Sequence, residues 1–375
     1  MKCEGWKESQ LKEIIQFKNG KKRPNSEGKI PIYGGNGILG YCNESNYNNV
    51  IAIGRVGAYC GSIYYEAENC WVSDNAIAAK CKNGSNTGFL VYLLQSLKLN
   101  ERSIGTGQPL LTQEILNGLN VLVPQYQEQK VIADTLSCLD DKIELNNRMS
   151  KTLEEMAQAI FKSWFVDFEP FQDGEFIDSE LGPIPKGWRV GTLGEVAEIT
   201  MGQSPAGSSY NESGNGTVFY QGRAEFGWRY PTRRLYTTEP KRMAQIGDVL
   251  MSVRAPVGDI NIAAETCCIG RGLAALRSTT QKQSYLHYLI NSLRTSLNVF
   301  NGEGTVFGSI NKDALAGLVT VIPPENVLEA FETFVSALDD IIKERCVENI
   351  NLKTIRDTLL PKLISGEIRV PWGVK

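Results

Sequence analysis

The spacing of hydrophobic positions changes along this chain and predicts two kinds of structure. From Ile132 to Trp164, seam positions recur alternately four and three residues apart, and the same spacing returns from Phe331 to Leu363. Such heptad spacing predicts two amphipathic helices of nearly 40 residues, on the order of 60 Å long at about 1.5 Å per residue. The predicted apolar seam of this helix pair comprises Leu136, Leu139, Ile143, Leu153, Val335, Leu338, Ile342 and Leu352.

Polar residues interrupt the seam in the middle of each predicted helix. Asn146 and Ser150 occupy seam positions in the first helix, and Arg345 and Asn349 occupy them in the second. If the helices pair antiparallel, their middles face each other, and a polar centre can fix the register. Two core helices of an ordinary bundle remain an alternative, although helices this long exceed the usual length of about 11–12 residues.

Outside the two helices, short apolar runs are bounded by glycine, proline and asparagine. This pattern predicts β-strands and one short helix in each half of the chain. The predicted strands span residues 49–55, 76–79 and 119–123 in the first half and 248–254, 273–276 and 318–322 in the second. The predicted short helices span residues 89–97 and 285–293.

The order of these elements occurs twice, which indicates an internal repeat. The matched residues are Trp6 with Trp188 and Leu11 with Leu193 at an offset of 182, then Leu139 with Leu338 and Asp140 with Asp339 at an offset of 199. The second half therefore carries about 17 additional residues, which we expect in loops, where function usually varies. The acidic, Pro- and Gly-containing stretch 167–187 is the predicted linker.

Charge is unevenly distributed along the 375 residues. The net charge is −3 for the whole chain, but it is +3 for residues 1–124, −8 for 125–180, +4 for 181–324 and −2 for 325–375. The two globular halves are mildly basic, as contact with phosphates requires, whereas the helical segments are acidic. On this basis we expect partner proteins to contact the helices, with Glu154 and Glu155 on an exposed acidic face.

Composition excludes several classes of protein. No apolar run approaches about 20 residues and the first residues contain no apolar signal segment, so we expect a cytoplasmic protein without a membrane span. The nine cysteines include no CxxC pair and are expected to be free thiols, with no metal site. The single histidine, His287, lies in an apolar-periodic stretch, where a core or helix-surface role is expected.

Catalytic motifs are incomplete. Pro323-Pro324 lacks the flanking residues with which a DNA adenine methyltransferase holds a flipped base, and no Walker A loop occurs. Gly35-x-Gly37-x-x-Gly40 is followed by no helix-like pattern, so we expect a flexible groove loop instead of a dinucleotide site. Asp140-Asp141-Lys142 resembles a metal-nuclease pattern but falls within a heptad helix, where a solvated face is expected.

Basic, aromatic and amide side chains in the polar stretches are the candidates for contact with DNA. Residues 17–24 form a predicted basic loop suited to phosphates, and residues 222–234 interleave arginine with aromatic residues, which can grip guanine and pack on sugars. Arg55 and Arg254 follow matching strands. Solvated loops, structural ion pairs and, for 222–234, a β-hairpin are the alternatives.

The predicted DNA-contacting residues divide between the two halves. In the first half they are Lys18, Lys21, Lys22, Arg23, Tyr33, Asn36, Arg55, Ser73, Asp74, Asn75 and Gln108. In the second half they are Gln203, Ser204, Arg223, Trp228, Arg229, Arg233, Arg254, Arg271 and Thr305.

Four segments of the chain resemble the specificity subunit of Type I restriction-modification systems. Residues 5–21 and 187–196 are similar to the start of a target-recognition domain. Val123-Pro124 with Glu128-Gln129-Lys130 resembles the start of a spacer helix, and residues 359–370 resemble the family's C-terminal ending. The resemblance covers essentially the whole chain.

The resemblance implies an α+β protein with two similar mixed α/β target-recognition domains, separated by two long antiparallel coiled-coil helices with pseudo-two-fold symmetry. The implied boundaries are 1–124 and 188–324 for the domains, 125–166 and 325–365 for the helices, 167–187 for the linker and 366–375 for the tail. Each domain would read one half of a split site in double-stranded DNA.

The resemblance also implies partners. These are methyltransferase subunits, expected to number two and to dock on the helices, and in some systems restriction or translocase subunits. S-adenosylmethionine would bind the methyltransferase partners and not this chain, which would be non-catalytic. A duplicated protein-binding scaffold on a coiled coil and a self-contained DNA-modifying enzyme are the alternative functions.

Overall fold

The computed structural model describes residues 5–82, 84–105, 107–302 and 308–371. The first repeat and its long helix consist of β1 Lys7–Gln10, α1 Leu11–Ile14, β2 Ile15–Asn19, β3 Ile30–Gly34, β4 Gly37–Cys42, β5 Val50–Gly54, β6 Ile63–Glu66, β7 Trp71–Val72, β8 Ala76–Cys81, α2 Thr87–Ser96, α3 Gln113–Asn117, β9 Asn120–Val123 and α4 Tyr126–Phe165. A connecting hairpin follows, made of β10 Phe176–Ile177 and β11 Ile184–Pro185.

The second repeat has the same order with additions. Its elements are β12 Arg189–Thr192, α5 Leu193–Val196, β13 Ala197–Met201, β14 Tyr210–Asn211, β15 Thr217–Tyr220, β16 Leu235–Thr237, β17 Met243–Ala244, β18 Val249–Ser252, β19 Ile260–Ile262, β20 Cys267–Ile269, β21 Leu273–Ser278, α6 Gln283–Ser292, α7 Arg294–Asn298, α8 Lys312–Ala316, β22 Val319–Ile322 and α9 Glu325–Ile364. Short 3-10 turns occupy Gly57–Tyr59, Leu99–Arg102, Glu169–Phe171, Gly207–Ser209, Arg223–Glu225 and Val299–Asn301.

The sheet topologies of the two repeats correspond strand by strand. A four-stranded antiparallel sheet has the order β2-β8-β5-β6 in the first repeat and β13-β21-β18-β19 in the second. The pair β1-β9 corresponds to β12-β22, and the sheet β4-β3-β7 corresponds to the centre of β14-β16-β15-β20-β17. The predicted α+β class and the internal repeat are therefore confirmed.

The additional residues of the second repeat lie in one interval. Thirty residues separate β2 from β5, whereas 47 separate β13 from β18, and the difference accounts for the change of offset read from the sequence. The interval contains β14, β17 and the irregular segment 222–234.

The central strands carry continuous apolar runs because both of their faces are buried. In β5, Ile51 and Ile53 belong to the core shared with α2, α4 and the end of α9, while Val50 and Ala52 face the core under the three-stranded sheet. In β18, Val249 and Met251 alternate with Leu250 in the same way. Successive side chains of a strand point to opposite faces, so one strand serves two cores.

The described chain forms two compact units. One lies within Met1–Asn147 and Cys346–Lys375, and the other lies within Arg148–Arg345. Each unit thus combines one repeat with part of α4 and part of α9. The domain boundaries predicted from the sequence differ in kind, because they treat each long helix as a separate segment and do not divide it between two units.

Polar residues meet across the two helices in the first unit. The Asn146 amide donates to Asn349 Oδ1 at 2.9 Å and to Glu348, and the Asn349 amide donates to Asn147 Oδ1 at 2.9 Å. Ser150, in the other unit, is also buried. Asp140 contacts Arg356 further along the pair, so residue numbers rise from 140 to 146 along α4 as they fall from 356 to 349 along α9, and this part of the pair is antiparallel.

The seam residues differ in their burial. Leu136, Ile143, Val335 and Ile342 are buried, whereas Leu139, Leu153, Leu338 and Leu352 are half-buried. In the second unit the seam continues into an aromatic cluster, where Phe161, Trp164 and Phe165 pack on Phe331 with ring centroids 4.9–6.0 Å apart. Such large rings bury much apolar area per residue and stabilise the ends of the two helices within this unit.

Two predictions about the first half require correction. Gly35-x-Gly37-x-x-Gly40 is a tight hairpin between β3 and β4 and not a flexible groove loop, because Gly34 pairs with Gly37 across the turn. Asp141 is exposed as predicted, but the Asp140 side chain is only 35% exposed, because its carboxylate accepts hydrogen bonds from Tyr92 at 2.7 Å and from Arg356 at 2.7 Å.

Candidate nucleic-acid interface

In the first unit, backbone hydrogen bonds bring the ends of four strands together. Lys21 N donates to Val72 O at 3.0 Å, Ser73 N donates to Tyr33 O at 2.8 Å, and Arg55 N donates to Asn75 O at 3.0 Å. These bonds connect residues at or just after the ends of β2, β3, β5 and β7. We call Lys21, Asn36, Arg55, Asp74 and Asn75 the first strand-end cluster.

The second unit repeats these bonds one for one. Gln203 N donates to Ile269 O at 2.9 Å, Gly270 N to Tyr220 O at 2.8 Å, and Val253 N to Gly272 O at 2.9 Å. The side chains displayed at the corresponding strand ends form the second strand-end cluster, which consists of Ser204, Gln221, Arg223, Arg254 and Arg271. Residues far apart in sequence thus meet at equivalent places in both repeats.

Two equivalent glycines permit this convergence. A Cβ on Gly20 would lie 1.9 Å from Ser73 O, and a Cβ on Gly202 would lie 2.2 Å from Gly270 O. Both separations are far below van der Waals contact, so the strand ends approach each other only because these positions lack a side chain.

The second strand-end cluster surrounds a pocket of about 250 Å³ and is strongly basic. Arg254 and Arg271 are exposed, and their guanidinium groups have no hydrogen-bond or ion-pair partner among the described residues. Arg223 is ion-paired with Asp259, with Nε 2.8 Å from Oδ2. Exposed, unpaired guanidinium groups in a concave site provide the positive potential and the donors that phosphates and base edges require.

The first strand-end cluster is more mixed. Lys21, Asn36, Asp74 and Asn75 are exposed, while Arg55 is half-buried and its Nε has no partner among the described residues. Amide and carboxylate groups read adenine and cytosine edges, whereas arginine prefers guanine. The two clusters thus offer different chemistry on the same backbone frame.

Arg55 and Arg254 are not equivalent, contrary to the prediction from the sequence. Leu111 N donates to Arg55 O at 2.9 Å, and the matching bond in the second repeat runs from Ile310 N to Val253 O at 3.0 Å. Arg55 therefore corresponds to the buried Val253, and Arg254 lies one position further on. A shift of one residue turns a side chain to the other face of the backbone, which explains why only Arg254 is fully exposed.

Two residues of the first half predicted to contact DNA are buried, and we correct their assignment. Tyr33 is 8% exposed and its hydroxyl donates to Glu66 at 3.0 Å. Ser73 is fully buried, and its backbone N–H donates to the Tyr33 carbonyl at 2.8 Å. Both residues hold the strand ends together.

Arg229 is the third correction, because it lies within an ion-pair network and not on the surface. Only 4% of the residue is exposed. Its guanidinium pairs with Glu154 of α4 and lies 2.5 Å from Asp339 Oδ1 of α9. Burial disfavours the charge, but attraction to Asp339 and contact with Tyr288 outweigh this effect, so the pKa of Arg229 is raised.

The network also explains His287 and Glu154. His287 is buried beside Arg229, and burial, together with the Arg229 charge, lowers the pKa of His287 to about 3. Of the two roles expected for this histidine, the core role is confirmed. Glu154 has a side chain that is only 14% exposed, so it is a buried ion-pair partner and not part of an exposed acidic face.

The remaining candidates of the second half lie around irregular segment 222–234, which is not a β-hairpin. Trp228 is 55% exposed, and Arg233 is exposed and paired with Glu265 at 2.5 Å. Gln203 is exposed beside the pocket. Thr305 lies outside the described residues.

The basic stretch of the first half is only partly a loop. Phe17 and Lys18 belong to β2, with the Lys18 side chain exposed on an edge strand, and the loop begins after Asn19. Lys22 and Arg23 are exposed in that loop, and Gln108 is exposed in the loop whose Pro109 carbonyl accepts a bond from Gly57 N at 3.0 Å.

Sequence reasoning missed three residues of this region, namely Gln221, Asp259 and Arg294. Gln221 lines the basic pocket. Asp259 accepts a hydrogen bond from Arg294 at 2.7 Å while also pairing with Arg223. Arg223 and Arg294 each lie about 35 residues from Asp259 in the sequence, so no local motif reveals these two ion pairs.

Other kinds of site are not found in the part of the chain that the structure describes. No group of three or more His, Cys, Asp or Glu side chains there could hold a metal ion. No helix within the described ranges is long and apolar enough to cross a membrane.

Comparison with known proteins gives a consistent result. The family model described as the Type I restriction modification DNA specificity domain matches residues 3–155 and again residues 185–352. A Methanocaldococcus jannaschii protein named as the MjaX specificity subunit of a type I restriction enzyme is 33% identical over 344 residues, covering 89% of this chain and 79% of the relative. The MjaIX specificity subunit of the same organism is 29% identical, covering 77% of this chain and 71% of the relative.

One solved structure is similar along nearly the whole length. The S subunit of a Type I restriction-modification system from M. genitalium aligns with a TM-score of 0.66 at 18% identity, covering 96% of both chains. At this identity the similarity concerns the fold alone.

Proposed function

The chain belongs to the Type I restriction-modification DNA specificity family, and on this premise we propose that its two repeats read the two parts of a divided DNA target. Members of this family are the DNA-recognition components of restriction-modification enzymes and not their catalysts. The observation that carries the proposal is the pair of strand-end clusters, which equivalent backbone frames display with different side chains.

The different chemistry of the clusters supports separate reading of two sequences. The second cluster presents three arginines, which favour guanine and phosphate, while the first presents two amides, a lysine, a carboxylate and one half-buried arginine. If both repeats read the same DNA sequence, we would expect the two clusters to carry the same side chains.

A selection experiment tests the proposal. Full-length chain would be incubated with a library of randomised DNA duplexes, and the bound sequences would be compared for three variants. We expect Arg254→Ala with Arg271→Ala to alter one part of the selected sequence, and Asn36→Ala with Asn75→Ala, which removes the two exposed amides of the first cluster, to alter only the other. Lys312→Ala with Lys353→Ala, which removes exposed basic residues outside both clusters, is the control. If either cluster variant changed both parts, separate reading would be rejected.

We also propose that methyltransferase subunits, two in number, dock on the long helices, and that S-adenosylmethionine binds those subunits. Restriction or translocase subunits would join through the same assembly. Large apolar side chains exposed on α4 and α9 support this: Leu145, Met149, Met156, Phe334, Ile341, Val347, Ile350 and Ile355 are 37–64% exposed. Such side chains on long helices are typical of protein contacts.

Co-purification with the cognate methyltransferase tests the docking proposal. Phe334→Ser with Ile350→Ser should weaken assembly by about tenfold or more, because contact with apolar anchors would be lost. Val299→Ser, at a residue that is 81% exposed but outside the long helices, should leave assembly unchanged. Equal assembly of all three proteins would contradict docking on the helices.

We further propose that helix length determines the number of base pairs between the two parts of the target. One added heptad in both α4 and α9 would preserve the seam and lengthen each helix by about 10 Å. The preferred gap should grow by about three base pairs, given about 3.4 Å of rise per pair. Mapping of methylated sites with the partner present measures the gap; an active double insertion with the original gap would rule out this role.

A further inference from the structure

Arg223 is distinguished from the other two arginines of the second strand-end cluster by an ion pair. The side chains of Arg254 and Arg271 have no partner among the described residues, whereas Arg223 Nε lies 2.8 Å from Asp259 Oδ2. The Arg223 side chain is nevertheless 53% exposed. It is therefore both held at one point and accessible to a ligand.

Asp259 itself is held firmly by the fold. It lies at the turn between β18 and β19, where its N–H donates to Ser252 Oγ at 3.0 Å. Its Oδ1 accepts from Arg294 at 2.7 Å, and only 19% of its side chain is exposed. The carboxylate thus contacts two arginines at once, and of these only Arg223 lines the basic pocket.

The nitrogen of Arg223 that the Asp259 carboxylate contacts determines which N–H donors remain available to a DNA base. Asp259 lies nearest to Nε, and neither NH1 nor NH2 of Arg223 donates a hydrogen bond within the described parts of the chain. Two parallel N–H donors match the O6 and N7 acceptors of guanine in the major groove. Holding a long side chain in place before binding also reduces the conformational entropy lost on binding.

The first repeat lacks this arrangement. In the first repeat Gly54 N donates to Ser62 O at 2.8 Å, and the equivalent bond of the second repeat runs from Ser252 N to Asp259 O at 2.8 Å. Ser62 therefore occupies the position that Asp259 has in the second repeat. The Ser62 hydroxyl bonds to the Gly35 carbonyl instead. The ion pair is consequently a property of the second repeat and not of the shared frame.

We propose that Asp259 is a positioning residue that presents Arg223 to a guanine in the part of the target read by the second repeat. This inference rests on the proposed function, because it assigns a base to a site whose ligand is DNA. Arg223 makes the base contact, and Asp259 acts only through Arg223.

The test uses the full-length chain and a randomised duplex library, followed by binding measurements on the selected duplex and on copies with one base pair changed. Arg223→Gln should reduce the preference for one G·C pair by about tenfold, the discrimination typical of a bidentate contact. Asp259→Asn should reduce the preference at the same pair by a smaller factor, while overall DNA affinity changes less. Thermal unfolding of each variant establishes that it is folded.

Arg294→Gln is the matched control, because it removes the other partner of the same carboxylate. It should retain the preference for the G·C pair. Equal loss of preference in Asp259→Asn and Arg294→Gln would overturn the proposal, as would an unchanged preference in Asp259→Asn. A uniform loss of affinity in Arg223→Gln, independent of sequence, would also overturn it, since that result identifies a phosphate contact.

The design separates this inference from the proposed function. If the wild-type chain selected no sequence from the library, DNA reading by the two clusters would itself be rejected. If it selected a divided target but Arg223→Gln affected an A·T pair or no pair, only the assignment of guanine to Arg223 would fail.

Discussion

Each unit contains a tyrosine that donates to an aspartate of a long helix, but the arginine beside that aspartate comes from a different place in each. In the first unit, Tyr92 bonds to Asp140 at 2.7 Å, and the cation is Arg356 of α9. In the second, Tyr288 bonds to Asp339 at 2.8 Å, and the cation is Arg229 from the irregular segment of the repeat itself.

Burial separates the two networks further. The Arg356 and Asp140 side chains are 29% and 35% exposed, whereas those of Arg229 and Asp339 are 3% and 17% exposed. Burial raises the pKa of both tyrosines, so both remain donors. The tyrosine–aspartate contact is thus common to both units, whereas the cation comes from a long helix in the first and, more deeply buried, from the irregular segment in the second.

The largest expected effect is that of Arg229→Met. The substitution leaves Glu154 and Asp339 without their shared cation at low exposure, and breaking a buried ion pair typically costs about 3–5 kcal/mol. Urea denaturation measures the free energy of unfolding. Arg233→Met, at an exposed arginine that also pairs with a glutamate, is the control and should cost less than about 1 kcal/mol. If the two variants lost the same free energy of unfolding, burial would not be what makes the Arg229 ion pairs important for stability.

Asn146→Ala comes next, because it breaks the polar contact between α4 and α9. It leaves the buried Asn349 without one hydrogen-bond partner, at a cost of about 1–3 kcal/mol. The double variant Asn146→Leu with Asn349→Leu replaces both polar groups and should be less destabilised than Asn146→Ala. Thermal unfolding distinguishes the cases, and a double variant less stable than the single one would refute this account.

Acidification should affect the second network through His287. Its pKa is about 3 in the folded protein and 6.5 in the unfolded chain, so between these values the unfolded state binds one more proton. Stability should therefore fall as pH decreases below about 6.5, by up to about 1.4 kcal/mol per pH unit. No such contribution is expected above this range.

His287→Gln is the test of that pH dependence. His287 is the chain's one histidine, so between pH 6.5 and 5 the variant should lose most of the slope in unfolding free energy. An unchanged slope in the variant would contradict the assignment of this pH dependence to His287.

The smallest expected effect is that of Arg356→Met in the first unit. Both members of its ion pair are about one-third exposed, so solvent screens the interaction and the cost should be at most about 1 kcal/mol. Lys353→Met, at an exposed position one turn away on the same helix, is the control. A cost for Arg356→Met as large as that for Arg229→Met would remove the difference between the two networks.

Much of the fold could be predicted because its signals are local or periodic. Heptad spacing located both long helices to within a few residues, and proline after β9 and β22 marked where each begins. Duplication of the pattern revealed the repeat. The candidate site could be predicted less well, because exposure is not a local property: Arg229 and Arg233 look alike in sequence and differ entirely in burial.

The sequence by itself determined the two helices, the duplicated order of strands, the added residues of the second half and the family to which the chain belongs. The helices, the strand order and the added residues follow from spacing, which a linear chain displays directly, whereas the family follows from the resemblance of particular segments. Only the tertiary structure decided which side chains meet. The same strand register in both repeats placed Arg55 where the second repeat has the buried Val253, while Arg254 lies one position further on and is exposed, and long-range folding placed Asp259 beside Arg223. Such contacts depend on how strands separated by tens of residues align, and no local pattern encodes that alignment.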